Sequence, residues 1–390
     1  MKQRATIAAW LLAGLLASPL ASATAQDKVR VRLFANRQVQ TCTLSSDAPL
    51  TITDQSGAVR TVAPRGASVT VSCQANSLSV ERGSRRFSTD HLHARSHSGV
   101  IRVSDRLYRG EISLSISNGS IAVINALPLE DYLRSVVPAE IPSSFHPEAI
   151  KAQAVLSRTI GINWTERHSR EGADFCDLTH CQVYAGVVSE THASDAAVRE
   201  TAGLILAFQQ RPAQAFYHST CGGHTADAKR VWPGTLWPAY LRGVPDTLQG
   251  KPACAKSSHL AWTATVSQQE LDDALGLSGA AVAVTGREPC GRASEITVRW
   301  AGGEKRLTGE QFHVLLGRKL GWARVKSAWF DMARRDGSWV FSGKGFGHGV
   351  GMCQWGADAR CLAGWSFAQV LEYYFPGARV QLASRGIAFP

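Results

Sequence analysis

The hydrophobic pattern of this sequence first changes its period near residue 127, and that change limits the possible folds. Between residues 29 and 125, short runs such as VRVRLF and GEISLSISNG alternate apolar and polar residues and are separated by turn clusters. A period of two predicts strands that bury one face, and Asn118-Gly119 predicts a hairpin turn between two of them. After residue 127 apolar residues recur every three or four positions, which predicts helices. We therefore predict an α+β fold: a mixed or antiparallel β core with packed helices, an N-terminal β-rich unit and an inserted, smaller α+β segment.

The stretch from residue 127 to residue 164 carries the first candidate functional residue, Glu140. This glutamate lies two residues after Pro138 and two before Pro142, so we expect it on a stiff, non-helical turn. A long amphipathic helix should begin at Pro147, because a proline at the first helical position sacrifices only an amide that is unpaired anyway. Glu140 is thus expected on a rigid support beside the head of a buried helix.

The first 25 residues have the pattern of an export signal. Lys2 and Arg4 precede an apolar run from residue 7 to residue 20, and Ala23-Thr24-Ala25 supplies the small residues of a cleavage site. We expect cleavage after Ala25 and an exported protein, in the periplasm, the cell envelope or the medium; the alternative is a retained N-terminal anchor. No later segment reaches the roughly 18 apolar residues of a membrane span, so we expect no stable transmembrane helix.

Charge indicates the class of partner. The formal net charge is +11, and removing Lys2 and Arg4 leaves 11 − 2 = +9 for the mature chain. No run of lysines and arginines with interleaved aromatic residues is present, so nucleic acid is not the expected partner. An exported basic protein meets cell-wall polymers and anionic lipids instead.

The pattern changes divide the chain into five parts. A strand ATVSQ, a helix QQELDDAL, a strand EITVRWAGG and a helix from Gly309 to Leu316 predict that the inserted segment forms its own α+β unit. It holds few candidate catalytic residues, so we expect a structural or substrate-shaping role for it. The parts are a signal peptide (1–25), an N-terminal β-rich region (26–95), the first part of a catalytic core (96–255), the inserted segment (256–335) and the second part of the core (336–390).

The chain contains nine cysteines, which is an odd number. In an oxidising compartment several should be paired, and Cys42–Cys73 and Cys254–Cys290 are the plausible bridges within one region. At least one thiol must then be free, metal-bound or joined to another molecule.

The segment GFGHGVGMCQWGA, residues 345–357, is rich in glycine. It lacks the lysine and hydroxyl of a phosphate-binding loop and the spacing of a dinucleotide motif, so nucleotide binding is not expected. We expect the glycines to let the backbone approach another strand or a sugar ring, with His348 and Gln354 directed into a groove and Trp355 offering a stacking face. The alternative for His348 is a hydrogen-bonded packing residue.

Five separated blocks together resemble one protein family. LPLEDYLRSVVPAEIP, HPEAIKAQAVLSRT, QVYAG, AFYHSTCGGHT and GFGHGVGMCQWGA occur in this order and resemble the stage II sporulation protein D family, which includes the amidase enhancers. The resemblance runs from about residue 29 to residue 377. It implies a cell-wall protein, and for the sporulation members a lytic transglycosylase that cuts peptidoglycan glycan strands already stripped of their peptides.

The resemblance implies that Glu140 is the catalytic acid. Cleavage of the bond between N-acetylmuramic acid (MurNAc) and N-acetylglucosamine (GlcNAc) needs a protonated carboxyl near the leaving oxygen. A lytic transglycosylase can use one carboxyl as acid and then as base, because the C6 hydroxyl of the sugar attacks and a 1,6-anhydro end results. Partial burial should raise the pKa of Glu140 for this role. The residues expected to bind substrate in the groove are Gln153, Arg158, His218, Ser219, His348 and Gln354.

Two groups of residues have the character of metal ligands. His168, Cys176, His180 and Cys181 could form a Cys₂His₂ zinc site, similar to a cluster found in some members of the family; the alternative is a Cys176–Cys181 disulfide. The second group is HSTCGGH, in which His218, Cys221 and His224 could bind zinc and leave a position for water. Its alternative is that His218 and Ser219 line the groove while Cys221 is a buried or bridged thiol. We expect no cofactor for the chemistry and at most a structural zinc.

Two other functions remain open. The first is a non-catalytic, wall-binding activator of an N-acetylmuramoyl-L-alanine amidase, for which the amidase-enhancer branch is named. The second is a zinc-dependent hydrolase built on His218, Cys221 and His224, which would not need Glu140. The expected partners are therefore peptidoglycan glycan strands and, in the first alternative, a cell-wall amidase.

Overall fold

A computed structural model describes residues 28–165 and 167–383. The expected signal peptide, residues 1–25, lies outside the described residues. Within the described part of the chain, no helix is both long enough and apolar enough to cross a membrane. These residues contain both helices and strands, and the strands form several separate sheets, so the predicted mixed α+β class is confirmed.

The N-terminal part of the chain is a β structure in which the strands bury alternate residues. In the first strand Val29 and Val31 are buried, whereas Arg30 between them is exposed, as a period of two requires. The strands are β1 (Lys28–Leu33), β2 (Thr41–Ser45), β3 (Leu50–Asp54), β4 (Val59–Ala63), β5 (Val69–Gln74), β6 (Ser77–Arg82), β7 (Arg85–Thr89), β8 (His91–Val103), β9 (Arg106–Ser117) and β10 (Ser120–Pro128).

These strands pair in the order β1-β10-β9-β8-β2-β5-β6-β7, with β3 between β4 and the first half of β8. Asn118 and Gly119 join β9 to β10 with φ of 49° and 70°, and Ser117 pairs with Ser120. The predicted hairpin turn is therefore confirmed. The expected boundary between the N-terminal region and the core, at residues 95 and 96, falls inside strand β8, which pairs with β9 on both sides of it.

Two helices follow the sheet. They are α1 (Leu129–Glu140) and α2 (Pro147–Asn163). His146 caps α2 by accepting a hydrogen bond from the Glu148 backbone N–H at 3.2 Å, and Pro147 occupies its first position. The predicted start of this helix is confirmed, and nearly every residue from 149 to 161 is buried. The α2 helix therefore forms the centre of the core that supports the candidate site.

Glu140 is the last residue of α1, so the prediction that it lies on a non-helical turn is wrong. Pro138 is inside the helix, and the chain becomes extended only at Ile141, with φ −130° and ψ 138°. An interior proline removes one backbone hydrogen bond. Here that loss falls within the last turn, while the helix continues to bury Val136 and Val137. Burial of the apolar face thus outweighs the local penalty.

The chain then forms short elements that alternate with loops. One strand, Phe175–Cys176, pairs in parallel with β1 and extends the N-terminal sheet. The elements of this part are β11 (Phe175–Cys176), α3 (His192–Glu200), β12 (Leu204–Phe208), β13 (Arg211–Pro212), β14 (Tyr217–His218), α4 (Ala228–Val231), β15 (Thr247–Leu248) and β16 (Lys251–Pro252).

The inserted segment has a hydrophobic core of its own. Val266, Leu271, Ile296 and Phe312 are buried in this second core, which is distinct from the main one. The elements are β17 (Ala261–Ser267), α5 (Gln268–Leu275), β18 (Ala281–Arg287), β19 (Ala293–Trp300), β20 (Gly303–Leu307), α6 (Gly309–Leu320), β21 (Phe330–Arg335) and β22 (Ser338–Lys344). The strands form two three-stranded sheets, β17-β22-β21 and β18-β19-β20. Strand β22 lies past residue 335, so this unit extends beyond the expected end of the inserted segment.

The C-terminal part returns to the main core. Its elements are β23 (Met352–Cys353), α7 (Gln354–Leu362), α8 (Phe367–Tyr374) and β24 (Arg379–Leu382). Strand β23 pairs in parallel with β14, and β24 pairs with β12. The glycine-rich segment lies directly along residues 216–221: a Cβ on Gly351 would be 2.2 Å from the Phe216 carbonyl oxygen, and one on Gly345 would be 2.6 Å from that of Thr220. The glycines therefore permit the expected close approach to another strand.

Candidate functional site

The carboxyl of Glu140 lies at the end of α1 and is held by groups from two other segments. The Val183 backbone N–H donates to Oε1 at 2.6 Å. The Tyr217 hydroxyl lies between this carboxyl and the Gln182 side-chain oxygen, which is 3.3 Å away, and its single proton can be donated to either. Glu140 therefore has a fixed orientation set by residues that are 43 or more positions away in the chain.

Burial is the dominant influence on the proton of Glu140. Desolvation raises the pKa of this carboxyl above its usual value, and the hydrogen bonds from Val183 and Tyr217 lower it by less. A carboxyl with a raised pKa keeps its proton at pH values where an exposed glutamate is ionised. Glu140 thus meets the electrostatic requirement for a general acid.

Two glutamines support the backbone at Glu140. The Gln354 amide donates to the carbonyl oxygen of Glu140 at 2.9 Å and to the side-chain oxygen of Gln153 at 3.1 Å. Gln153 in turn donates to Ser157 at 3.2 Å. Both glutamines are buried; Gln354 bonds the Glu140 backbone and Gln153 holds Gln354, so the geometry gives these two predicted substrate-binding residues a supporting role at Glu140.

A cavity of about 770 Å³ opens in front of Glu140. Its walls come from the end of α2, the loop around residues 179–181, the segment 214–218 and the glycine-rich segment. Among its described lining residues, Glu140 is the one carboxylate. The lining consists of Glu140, Ile160, Asn163, Trp164, Thr165, Arg167, Thr179, His180, Cys181, Gln214, Phe216, Tyr217, His218, Trp232, Trp237, Gly347 and His348.

Aromatic rings form one wall of this cavity. Phe216 lies at the centre, with ring centroids 5.0 Å from Trp232, 5.6 Å from Trp237 and 5.7 Å from Trp164. Trp237 donates its indole N–H to the Trp232 carbonyl oxygen at 2.9 Å. The rings are thereby held as rigid, largely apolar faces next to a few polar groups, which is the composition of a ligand-binding cleft.

His218 and His348 both line the cavity, as predicted. Burial lowers the pKa of His348 to about 4 and that of His218 well below its usual value, so both rings are neutral near pH 7. His348 Nδ1 accepts from the Val350 N–H, while His218 Nδ1 hydrogen-bonds the Val350 carbonyl oxygen. His218 Nε2 is buried with no hydrogen-bond partner among the described residues. It is a free polar atom of the kind a bound ligand could satisfy.

The structure does not bring Arg158 or Ser219 to the cavity. Arg158 is 1% exposed and makes two hydrogen bonds to the Glu130 carboxylate, at 2.7 and 2.8 Å. It also donates to the Val198 and Leu204 carbonyl oxygens, which ties α2 to α3 and β12. Ser219 interacts with Thr220 through its hydroxyl. Both positions are outside the cavity lining described above.

His168, Cys176, His180 and Cys181 converge at the edge of the cavity. Their ligand atoms all lie within 4.8 Å of one another. Cys181 Sγ is 3.4 Å from His168 Nε2 and 3.6 Å from His180 Nδ1, and Cys176 Sγ is 3.8 Å from His180 Nδ1. Tetrahedral zinc bonds of standard length imply sulfur–nitrogen separations of about 3.6 Å. The four side chains therefore fit a Cys₂His₂ zinc site.

The surroundings of this Cys₂His₂ group also match a metal centre. His168 Nδ1 hydrogen-bonds Glu171 at 3.0 Å, which leaves Nε2 directed at the group, as in carboxylate–histidine–metal arrangements. The hydrogen bond from Cys181 is the largest cause that lowers the pKa of Cys176, to about 4. The same contact raises the pKa of Cys181, so Cys176 is the more readily ionised of the two thiols.

The second predicted metal group does not form. His218 and His224 bond backbone oxygens through Nδ1, and neither belongs to a group of potential ligands among the described residues. Cys221 lies instead with Cys254 and Cys353. The geometry therefore gives no support to a zinc hydrolase centred on HSTCGGH.

The two expected disulfides are not formed, because all nine cysteines, which lie within the described residues, are free thiols. Cys42 is buried in the N-terminal sheet opposite Val71, whereas the Cys73 sulfur lies against the Gly119 carbonyl oxygen at 3.6 Å. Cys254 has Cys221 as its sulfur neighbour at 3.7 Å. The predicted pairs were chosen because both cysteines lay in one region of the sequence, and that closeness did not indicate which sulfurs are neighbours in the fold.

Several residues of the site were not identified from the sequence. Tyr217 and Gln182 lie within the blocks AFYHSTCGGHT and QVYAG, so their position in those blocks was the available signal. Trp232 and Trp237 lie outside all five blocks, and only the folded chain brings them to Phe216. The backbone N–H of Val183 could not be identified from the sequence, because every residue except proline has such a group.

Comparisons with known proteins agree with the five blocks. A family model described as stage II sporulation protein matches residues 117–208. Stage II sporulation protein D of Bacillus amyloliquefaciens is 30% identical over 300 residues, which cover 71% of this chain and 81% of that protein. The protein of the same name from Bacillus subtilis (strain 168) is 28% identical over 295 residues, 72% of this chain and 82% of that protein. The amidase enhancer of B. subtilis is 29% identical over 299 residues, 63% of this chain but 39% of that longer protein.

Proposed function

Because the chain belongs to the stage II sporulation protein D family, we propose that it acts on the bacterial cell wall as a lytic transglycosylase of peptidoglycan. Its substrate is a glycan strand without peptides, cut between MurNAc and GlcNAc. The observation that carries the proposal is Glu140, a partly buried carboxyl with a raised pKa and the one carboxylate among the described lining residues of a cavity walled by tryptophans. A classical hydrolase would need a second carboxylate there.

The proposed reaction uses Glu140 twice. Its neutral carboxyl gives a proton to the glycosidic oxygen, so that the C1–O bond breaks and GlcNAc leaves with a C4 hydroxyl. The C6 hydroxyl of MurNAc attacks C1 and forms the 1,6-anhydro ring. Its proton passes to the Glu140 carboxylate, which restores the acid, and no water is consumed. The hydrogen bonds from Val183 and Tyr217 stabilise the carboxylate between the two proton transfers.

The walls of the cavity have complementary parts in this proposal. Trp232, Trp237 and Phe216 offer flat apolar faces on which sugar rings can stack. The neutral imidazoles of His218 and His348 supply hydrogen-bonding groups to the hydroxyl and acetamido groups of the glycan. We keep Gln153 and Gln354 in the proposal as supports of Glu140. Export follows from the same proposal, since peptidoglycan lies outside the cytoplasmic membrane.

The proposal includes a structural zinc ion at His168, Cys176, His180 and Cys181. All four ligands come from the protein, which is typical of structural rather than catalytic zinc. His180 and Cys181 also line the cavity, so an ion there would fix the part of the wall that they form. The chemistry above uses no group of the metal.

The similarity to an amidase enhancer supports a second candidate function, a non-catalytic activator of a cell-wall amidase. Both functions would retain the same cavity for glycan. They differ in whether a 1,6-anhydro product is made and whether Glu140 must carry a proton.

The test incubates the purified mature protein with peptide-free glycan strands and identifies products by mass spectrometry. We expect 1,6-anhydro-MurNAc ends from the wild type and a rate lowered by about 10²- to 10⁴-fold in Glu140→Gln. Glu81→Gln, the same substitution at a partly exposed position of β6 in the N-terminal sheet, should cleave at the wild-type rate. Absence of anhydro ends from the wild type, or undiminished cleavage by Glu140→Gln, contradicts the proposal.

Two further arms separate the alternatives. Peptide-bearing wall is incubated with an amidase and with wild-type or Glu140→Gln protein; equal stimulation by both, without anhydro products, would establish the activator function instead. In the other arm a chelator is added, and cleavage and melting temperature are measured together. Loss of cleavage with an unchanged melting curve would contradict the structural role of zinc.

A further inference from the structure

Three cysteines from separate parts of the chain meet in the main core, apart from the Cys₂His₂ group. Cys221 follows β14, Cys254 follows β16, and Cys353 ends β23, and all three are fully buried. The Sγ atoms of Cys221 and Cys254 are 3.7 Å apart, and all three sulfurs lie within 4.8 Å of one another. Packing alone does not require three thiols at one point, since apolar side chains would fill the same space.

Backbone N–H groups are directed at these sulfurs. Cys353 Sγ accepts from the Cys221 N–H at 3.2 Å and the Gly356 N–H at 3.4 Å. Cys221 Sγ accepts from the Gly223 N–H at 3.2 Å. Cys353 is also the N-cap of α7, where the helix dipole favours negative charge. Such N–H···S contacts stabilise thiolates and commonly surround sulfur-bound metals.

The buried ion pair of Arg360 and Asp246 lies near the three sulfurs but does not provide them with a positive charge. Asp246 Oδ2 is 3.0 Å from Cys221 Sγ, but its other oxygen accepts from Arg360 at 2.8 Å and from the Tyr374 hydroxyl at 2.9 Å. Arg360 is therefore matched by Asp246. No lysine, arginine or histidine of the described residues hydrogen-bonds the three sulfurs. Buried thiolates without a counter-charge would be costly.

We propose that Cys221, Cys254 and Cys353 bind a divalent, thiophilic metal ion, Zn²⁺, at a second site in the core. Zinc–sulfur bonds of about 2.3 Å imply sulfur–sulfur separations of about 3.8 Å in a tetrahedral shell, close to the 3.7 Å between Cys221 and Cys254. The group supplies three of the four ligands of such a shell from the protein. A disulfide would need sulfurs about 2.05 Å apart and would leave the third thiol unused.

This ion would cross-link three separate segments of the chain, which no disulfide joins. It would fix the segment after β14 and the loop after β16 to the head of α7. The residue after Cys353 is Gln354, whose amide supports the backbone of Glu140. The inference concerns metal binding and does not depend on glycan cleavage.

The test counts zinc per chain. Reduced mature protein is loaded with Zn²⁺, passed through gel filtration and measured by atomic emission, with circular dichroism to confirm folding. Cys353→Ser removes one ligand but keeps a good N-cap for α7, since a serine hydroxyl can accept from the Gly356 N–H. Cys181→Ser removes a ligand of the Cys₂His₂ group, and Cys42→Ser, a buried thiol outside both groups, is the control.

We expect two zinc ions per chain in the wild type and in Cys42→Ser, one in each of Cys353→Ser and Cys181→Ser, and none in the double variant. Undiminished zinc in Cys353→Ser overturns the inference, as does a wild type in which two of the three thiols are joined in a disulfide. Co²⁺-loaded Cys181→Ser gives a second measurement, because its thiolate-to-metal absorption should disappear when Cys254→Ser is added. If that absorption is absent or survives the second substitution, the site does not exist.

Discussion

Glu140 is subject to two opposing influences, burial that favours the neutral acid and hydrogen bonds that favour the anion. Burial is the larger, so its pKa is raised. The balance suits a group that must give up a proton and take it back, because neither form is stabilised to the exclusion of the other. This balance depends on Val183 and Tyr217, which lie far from Glu140 in the sequence.

The raised pKa of Glu140 predicts a pH-dependent effect of Glu140→Gln on stability. Because the folded pKa lies above the unfolded value of about 4.3, the stabilising contribution of Glu140 is complete below that value and is lost as the pH rises through the folded pKa. Glutamine cannot ionise, so Glu140→Gln should gain stability relative to the wild type as the pH rises from below 4 to neutrality. Parallel melting temperatures of the two proteins across this range would contradict the assignment.

Tyr217→Phe tests the other influence. This substitution removes the phenolic hydroxyl and with it a hydrogen bond that lowers the pKa of Glu140, so the pKa of Glu140 should rise further. Under the proposed function, the alkaline limb of the rate profile on glycan should move to higher pH. A purely structural tyrosine would lower the rate at every pH and leave the limb in place. The measurement is the initial rate of anhydro-product formation against pH.

At the scale of elements, the sequence identified helices by their first residues better than by their last. The start of α2 follows from His146 and Pro147, which act within one turn. The end of α1 does not follow from Pro138, because the tertiary burial of Val136 and Val137 decides how far that helix continues. Tertiary packing also explains why the predicted role of Arg158 in substrate binding does not fit its position. Its partners Glu130, Val198 and Leu204 become its neighbours only after α1, α3 and β12 pack on α2.

Glu130→Gln should weaken the packing of these helices. Arg158 is almost completely buried and depends on the two oxygens of Glu130 for its counter-charge, so we expect a loss of about 1.5–3 kcal/mol in the free energy of unfolding. Glu304→Gln removes a comparable contact to Arg299 on the surface and should cost less than about 1 kcal/mol. Denaturant titration measures both, and equal losses would show that Arg158 does not need its partner.

At the scale of the whole molecule, the cavity is made by parts that the inserted segment separates along the chain. Residues before the segment supply Glu140 and the aromatic wall, and residues after it supply His348 to the lining and Gln354 to the support of Glu140. The blocks in the sequence identified the parts on both sides. Which atoms meet depends on long-range packing, and neither the three-cysteine group nor the tryptophan wall has a local pattern that could reveal it.

Gly351→Ala should disrupt the junction between these parts. Gly351 has φ of 76° and would place a Cβ 2.2 Å from the Phe216 carbonyl oxygen, whereas Gly250 has the same φ and no atom within 4 Å of its Cβ position. Gly250→Ala should therefore cost about 1–2 kcal/mol from backbone strain alone. Gly351→Ala should cost a further 1–3 kcal/mol or so from the steric clash. Equal losses in thermal or denaturant unfolding would contradict the close approach.

The hydrogen bond between Gln354 and the Glu140 carbonyl oxygen joins residues 214 positions apart. Contacts of such sequence separation form slowly, because the loop between them must close before the contact contributes any stability. The hairpins of the N-terminal sheet, such as β8-β9 and β9-β10, pair strands that are adjacent in the sequence and do not involve this contact. The support of Glu140 should therefore be among the last features to form during folding, and a chain cut short before α7 would contain the acid without the backbone contact that fixes it.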